Sequence, residues 1–113
     1  MIESQYFEGC PNSQESLINL RKFMEKTNIP EDKLIITLIE NEEMSKLKTF
    51  QGSPTILING LDLYTGKRPE ESNFSCRLYR IDNSITGVLS IEYISQRYKE
   101  LLSSETAVHK TNH

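Results

Sequence analysis

Two cysteines, Cys10 and Cys76, are the residues of this sequence best suited to chemistry, because a thiolate is both a nucleophile and a soft-metal ligand. They are too few for a disulfide scaffold. No Cys-x-x-Cys pair or Cys/His cluster offers a zinc framework, so neither a bound metal nor a cofactor is expected. Cys10 is followed by Pro11-Asn12-Ser13. Proline is tolerated at the first helical position, where the amide it lacks would be unpaired anyway, so the pattern predicts Pro11 there and Cys10 as the cap. A sulfur at that point meets the Asn12 and Ser13 amides and the positive end of the helix dipole, which together lower a thiol from about 8.5 toward ~3.5–7.5 in favourable sites. The Ser13 hydroxyl can donate a further hydrogen bond to the sulfur. Glu8 opposes the effect and no basic residue lies close in sequence, so a modest depression is expected. The plainer alternative is that Cys10 only caps the helix and Cys76 is a small buried hydrophobe.

The elements that must position Cys10 follow from local patterns. Ile2 to Phe7 reads as a short strand stopped at Gly9. From Pro11, the residues Leu17, Leu20 and Met24 recur at helical spacing to about Thr27, before Asn28-Ile29-Pro30. Lys33 to Glu40 is continuously apolar at its centre and predicts an interior strand covered on both faces. Asn41 can cap a short helix with Met44, Leu47 and Phe50 as its apolar stripe, closed by Gly52. Thr55 to Asn59 is a strand beginning directly after Pro54. Leu61 to Ser75 reads as a long polar loop, and Cys76 to Ile81 as a half-exposed fourth strand. Ser90 can cap a last helix carrying Ile91, Ile94, Tyr98 and Leu101, which leaves a polar, disordered tail at 103–113. The order strand, helix, strand, helix, strand, strand, helix predicts an α/β domain over 1–102, a four-stranded mixed sheet with helices on both faces.

This order, with Cys10-Pro11-Asn12-Ser13, Gly52-Ser53-Pro54-Thr55 and Thr86-Gly87-Val88-Leu89-Ser90, resembles the thioredoxin fold over residues 2 to 102. Together with Cys76-Arg77-Leu78-Tyr79, the same motifs look like small bacterial thioredoxin-like proteins loosely labelled as related to alkylmercury lyases. The resemblance implies a cis proline at Pro54 facing Cys10. It also implies a substrate groove shaped by Pro11, Asn12, Ser53, Pro54 and Thr55, in which the backbone of Ser53 or Thr55 aligns a substrate segment as an added strand. Ser13 stands where the disulfide-exchanging members have a second cysteine, so the usual dithiol cycle is not open to Cys10. Carbon–mercury cleavage would need a positioned carboxylic acid, and positions 11 to 13 offer none.

Cys76 is expected at the far end of the inferred sheet, roughly 15–20 Å from Cys10 at about 3.3 Å per residue. A disulfide needs Cα atoms within about 7 Å, so Cys76 is expected to be a buried structural thiol. Direct pairing would require the 61–75 loop to fold back and the fourth strand to start later. In that case Cys76 could resolve an adduct on Cys10, or the two sulfurs could hold Hg(II) or Cu(I).

Composition sets the remaining bounds. A net charge of -3, a pI near 5.4 and a mean hydropathy of -0.50 describe an acidic surface that repels phosphate backbones and anionic lipid. Neither nucleic acid nor a membrane is an expected partner. A cytoplasmic location is expected, since the N-terminus lacks a signal pattern. Lys67, Arg68, Arg77 and Arg80 could form a basic spot for the carboxylates of a glutathione-like thiol, although exposed charges usually serve solubility. The sequence carries no signal for an oligomeric state. The functional expectation is a monothiol thioredoxin-like protein forming mixed disulfides through Cys10, with a small thiol such as glutathione or a cysteine-containing partner protein. Ser13 and the helix amides would stabilise its thiolate; as an enzyme it would be a thiol-dependent oxidoreductase. The alternative is a non-catalytic module binding a peptide or a soft metal ion through Cys10, with or without Cys76.

Overall fold

The computed structural model describes the backbone of residues 1–111 and the side chains of 1–103. The chain forms β1 (Ile2–Tyr6), α1 (Pro11–Lys26), a 3-10 turn (Glu31–Lys33), β2 (Leu34–Leu38), α2 (Glu42–Lys48), β3 (Thr55–Ile58), β4 (Leu61–Asp62), β5 (Tyr79–Ile81), β6 (Ser84–Thr86) and α3 (Ile91–Thr111). Four strands make one mixed sheet in the order β2-β1-β3-β4, with β1 parallel to β2 and antiparallel to β3. β5 and β6 form a separate hairpin. The expected α/β architecture with a four-stranded mixed sheet is present, with three helices.

Helix α1 starts as its sequence predicts. Cys10 is extended at φ -81 and ψ 113, Pro11 opens the helix, and Leu20, Phe23 and Met24 bury one face. Each such side chain contributes about 1.5–3 kcal/mol relative to exposure. The same face meets α3, where Phe23 and Tyr98 rings contact edge to face at 5.1 Å. The entry to α3 is tied to α1 by two bonds. The Leu89 N–H donates to the Ser16 hydroxyl at 3.1 Å and the Asn19 amide donates to the Leu89 carbonyl at 2.9 Å. The Ser90 hydroxyl then caps α3 by accepting from the Tyr93 N–H. Ile2, Ile56 and Ile58 of the sheet join these helices, with Leu63, Tyr79, Leu89, Ile94 and Leu101, in one core.

Four expectations need correction. β2 is an edge strand paired with β1 on one side among the described residues, and Ile35 and Ile36 are 45% and 41% exposed. An apolar run does not reveal how many neighbours a strand has; the central places go to β1 and β3, whose Ser4, Gln5 and Thr55 are buried. In α2, Asn41 does cap by accepting from the Met44 N–H at 2.8 Å, but Leu47 is 81% exposed and the buried Phe50 lies beyond the helix end. The fourth sheet strand is Leu61–Asp62, because the chain turns at Asn59-Gly60 and pairs back on β3 at once. The apolar face ends the last helix near residue 102, whereas α3 is helical through Thr111. The backbone of the expected tail is thus helical as far as Thr111, while the side chains of 104–113, His109 and His113 included, lie outside the described residues. Among those described, no helix is long and apolar enough to cross a membrane.

Candidate functional site

Cys10 sits at the N-terminus of α1, 6% exposed, and its thiol donates to the Ser53 carbonyl at 3.4 Å. The Ser53-Pro54 peptide is cis, so the loop expected to face Cys10 does so. Burial pushes the Cys10 thiol up. The Ser53 side chain, the Asn12 N–H, the Cys76 thiol and the Ser13 N–H pull it down by more, and the result lies below the ordinary thiol value. The Ser13 hydroxyl does not bond the sulfur as expected; it donates to the Cys10 carbonyl at 3.0 Å, so Ser13 acts on the thiolate through its amide.

The other predicted groove residues divide. Pro11 is exposed, Asn12 is half-buried, and Ser53, Pro54 and Thr55 are buried. Gly87 holds Asn12 close, since a Cβ there would lie 2.0 Å from the Asn12 side-chain nitrogen. A cleft of about 490 Å³ opens beside Cys10, lined by Tyr6, Phe7, Glu8, Ser13, Gln14 and Leu17 among others.

Cys76 is not where the sequence places it. Residues 75–77 run beside Ser53 as a parallel bridge, with the Ser53 N–H donating to the Ser75 carbonyl and the Arg77 N–H to the Ser53 carbonyl, both at 2.8 Å. Gly52 permits the approach, because a Cβ there would meet Arg77 Cβ at 3.0 Å and the Ser75 carbonyl at 3.1 Å. The 61–75 loop thus folds back and the strand that follows begins at Tyr79. Cys76 is exposed and free, and its thiol lies next to the Cys10 sulfur, close enough for the two to shift each other's ionisation. The 15–20 Å separation and the buried structural role are therefore overturned. The same bridge changes the groove. Both backbone groups of Ser53 are taken by the chain itself, and Thr55 is paired with Gln5 in the sheet. The edge expected to receive a substrate strand is occupied.

Behind this loop lies a polar network that motif reading missed. Arg77 forms a bidentate ion pair with Asp62, at 2.6 and 3.2 Å, with side chains only 12% and 2% exposed, and it donates to the Thr55 hydroxyl at 3.3 Å. Its guanidinium lies over the rings of Tyr79 at 4.8 Å and Tyr64 at 5.5 Å. Burial works against the Arg77 charge, and Asp62 together with Tyr79 more than restores it. The buried Tyr79 hydroxyl donates to the Pro54 carbonyl, and burial pushes its ionisation well above the ordinary range. The expected basic spot accordingly lacks Arg77. A charge set between Leu61 and Leu63 was the available signal for a buried Asp62, and Arg77 its natural counter-ion.

No group of three or more His, Cys, Asp or Glu side chains able to hold a metal occurs among the described residues. Two sulfurs alone suit a soft, low-coordinate ion. The chain matches no protein-family model, no curated protein and no solved structure.

Proposed function

We propose that this is a thioredoxin-like protein that carries out thiol–disulfide exchange through Cys10, forming a mixed disulfide with a small thiol such as glutathione or with a cysteine-containing protein in the cytoplasm. The carrying observation is the Cys10 sulfur at the helix start, against the cis-proline loop, with the Ser53 side chain and two backbone amides favouring its thiolate. A lowered pKa puts more thiolate at neutral pH while leaving the sulfur nucleophilic. The neighbouring cleft admits a small disulfide, whereas the occupied Ser53 edge disfavours an extended peptide.

The decisive measurement is the pH dependence of Cys10 alkylation, followed by peptide mass mapping to separate it from Cys76. The midpoint is expected below the ordinary value of about 8.5; a midpoint at or above it overturns the proposal. The sign carries over to stability. The folded state favours the Cys10 thiolate, so this contribution is full above the unfolded pKa and is lost as pH falls through the lowered folded value.

A second reading, a soft-metal module, draws support from the two neighbouring thiols. Retention of one Hg(II) or Cu(I) that requires both cysteines, without any glutathione adduct, would favour it.

A further inference from the structure

Cys76 is a second free thiol that the monothiol cycle does not use. Its backbone is held beside Ser53 by the Ser75 and Arg77 bonds, at the spacing of neighbouring strands, about 4.8 Å. Cys10 reaches the same residue through its thiol, which donates to the Ser53 carbonyl that also accepts from the Arg77 N–H. The carriers of the two sulfurs are thus fixed to one point of the fold. Arg77, anchored by Asp62 and Thr55, keeps the segment in place.

We propose that Cys76 is the resolving thiol for Cys10, so that a small disulfide is reduced in a two-step cycle ending in a Cys10–Cys76 disulfide. The inference rests on the proposed role of Cys10. In the first step the Cys10 thiolate attacks one sulfur of a low-molecular-weight disulfide RSSR. The S–S bond breaks, RS⁻ leaves, and it takes up the proton Cys10 had released. In the second step Cys76 loses its proton and attacks the Cys10 sulfur of the mixed disulfide. That bond breaks, and the second RS⁻ leaves and is protonated. The balance is protein dithiol plus RSSR giving protein disulfide plus two RSH, with the disulfide as oxidant. Two equivalents of a different small thiol R'SH restore the dithiol: the first opens the Cys10–Cys76 bond as a mixed disulfide, the second displaces the protein thiol, and R'SSR' leaves as the oxidised product.

The local electrostatics order the steps. Burial pushes the Cys76 thiol up, and its hydrogen bond to Cys10 together with the negative charge there pushes it further. Cys76 therefore stays protonated while Cys10 is a thiolate. Once Cys10 is in the mixed disulfide, that charge is gone and Cys76 ionises more readily. Cys76 is exposed, so its proton exchanges directly with solvent. Ser13, at the position of a resolving cysteine three residues after the first, leaves this task open.

The test treats the reduced protein, Cys76→Ser and Cys10→Ser with oxidised glutathione, and reads intact mass and mapped peptides over time. The expected result is a Cys10–Cys76 disulfide in the unmodified protein with only a transient adduct. Cys76→Ser should hold one glutathione on Cys10, with a lifetime longer by roughly tenfold or more. Equal, persistent adducts on Cys10 in both proteins would overturn the resolving role and leave the Cys10 proposal standing. Failure of Cys10 to react in either protein faster than a thiol in the urea-unfolded chain would overturn both.

Discussion

Removing the Asp62 carboxylate tests whether the Arg77 pair holds the loop behind the site. In Asp62→Ala, Arg77 loses two hydrogen bonds, the Tyr64 N–H loses the acceptor it reaches at 3.2 Å, and a guanidinium only 12% exposed keeps its charge without a counter-ion. Breaking a buried pair from one side costs about 3–5 kcal/mol. Against a total of about 5–15 kcal/mol for a domain, that is a large share of the stability. At about 4 °C per kcal/mol, the expected fall in melting temperature is about 12–20 °C. Asp62→Asn keeps an acceptor in place and should fall between Asp62→Ala and the unmodified protein. Asp62→Leu combined with Arg77→Met removes both charges and should recover much of the loss, since apolar replacement of a whole buried pair is often neutral. Urea unfolding followed by circular dichroism measures the series. A loss under about 1 kcal/mol for Asp62→Ala, the range of solvated surface pairs, would refute the reasoning, as would a double variant less stable than either single one.

The other predictions concern the two sides of the site. Tyr79→Phe leaves the buried Pro54 carbonyl without its donor and should cost about 1–3 kcal/mol in the same urea assay; a neutral result would mean that water replaces the hydroxyl. Gly87→Ala drives a methyl group into the Asn12 side chain, and overpacking of this kind costs about 1–3 kcal/mol. Because Asn12 supplies an amide to the Cys10 sulfur, the Gly87→Ala alkylation midpoint should rise toward the ordinary thiol value, and an unchanged midpoint with unchanged stability would refute the packing argument.

What the sequence makes legible here is local. Pro11 after Cys10, Asn41 before two glutamates and Ser90 before Ile91 each announce a helix start through the chemistry of a few adjacent residues, and all three are helix starts. The facing of Cys10 and the Ser53-Pro54 loop was legible only through a resemblance, because nothing local brings positions so far apart together. Contacts that depend on chain reversal are not legible in this way. The apolar run of β2 gives no sign that Ile35 and Ile36 border solvent, since an unbroken apolar run has no alternation to mark an exposed face and does not report strand order. The place of Cys76 is hidden because the 61–75 stretch looks like loop by composition, whereas its path depends on a two-residue strand, an ion pair and a glycine that lets two backbones approach.

Residues 75–79 show what that path entails for variation. Ser75 and Arg77 are half-buried and Tyr79 buried, whereas Cys76 and Leu78 are exposed, so odd positions anchor and even positions face outward. Extended backbone alternates sides at every residue. The anchoring alphabet and the reactive alphabet are therefore interleaved on one short ribbon. Residue type at Cys76 can change without touching the Asp62 ion pair, but ribbon length cannot. Adding or deleting one residue would exchange the two sides, turning the thiol toward the carboxylate and the guanidinium toward solvent. Parity, as much as residue identity, is what keeps the second sulfur beside the first.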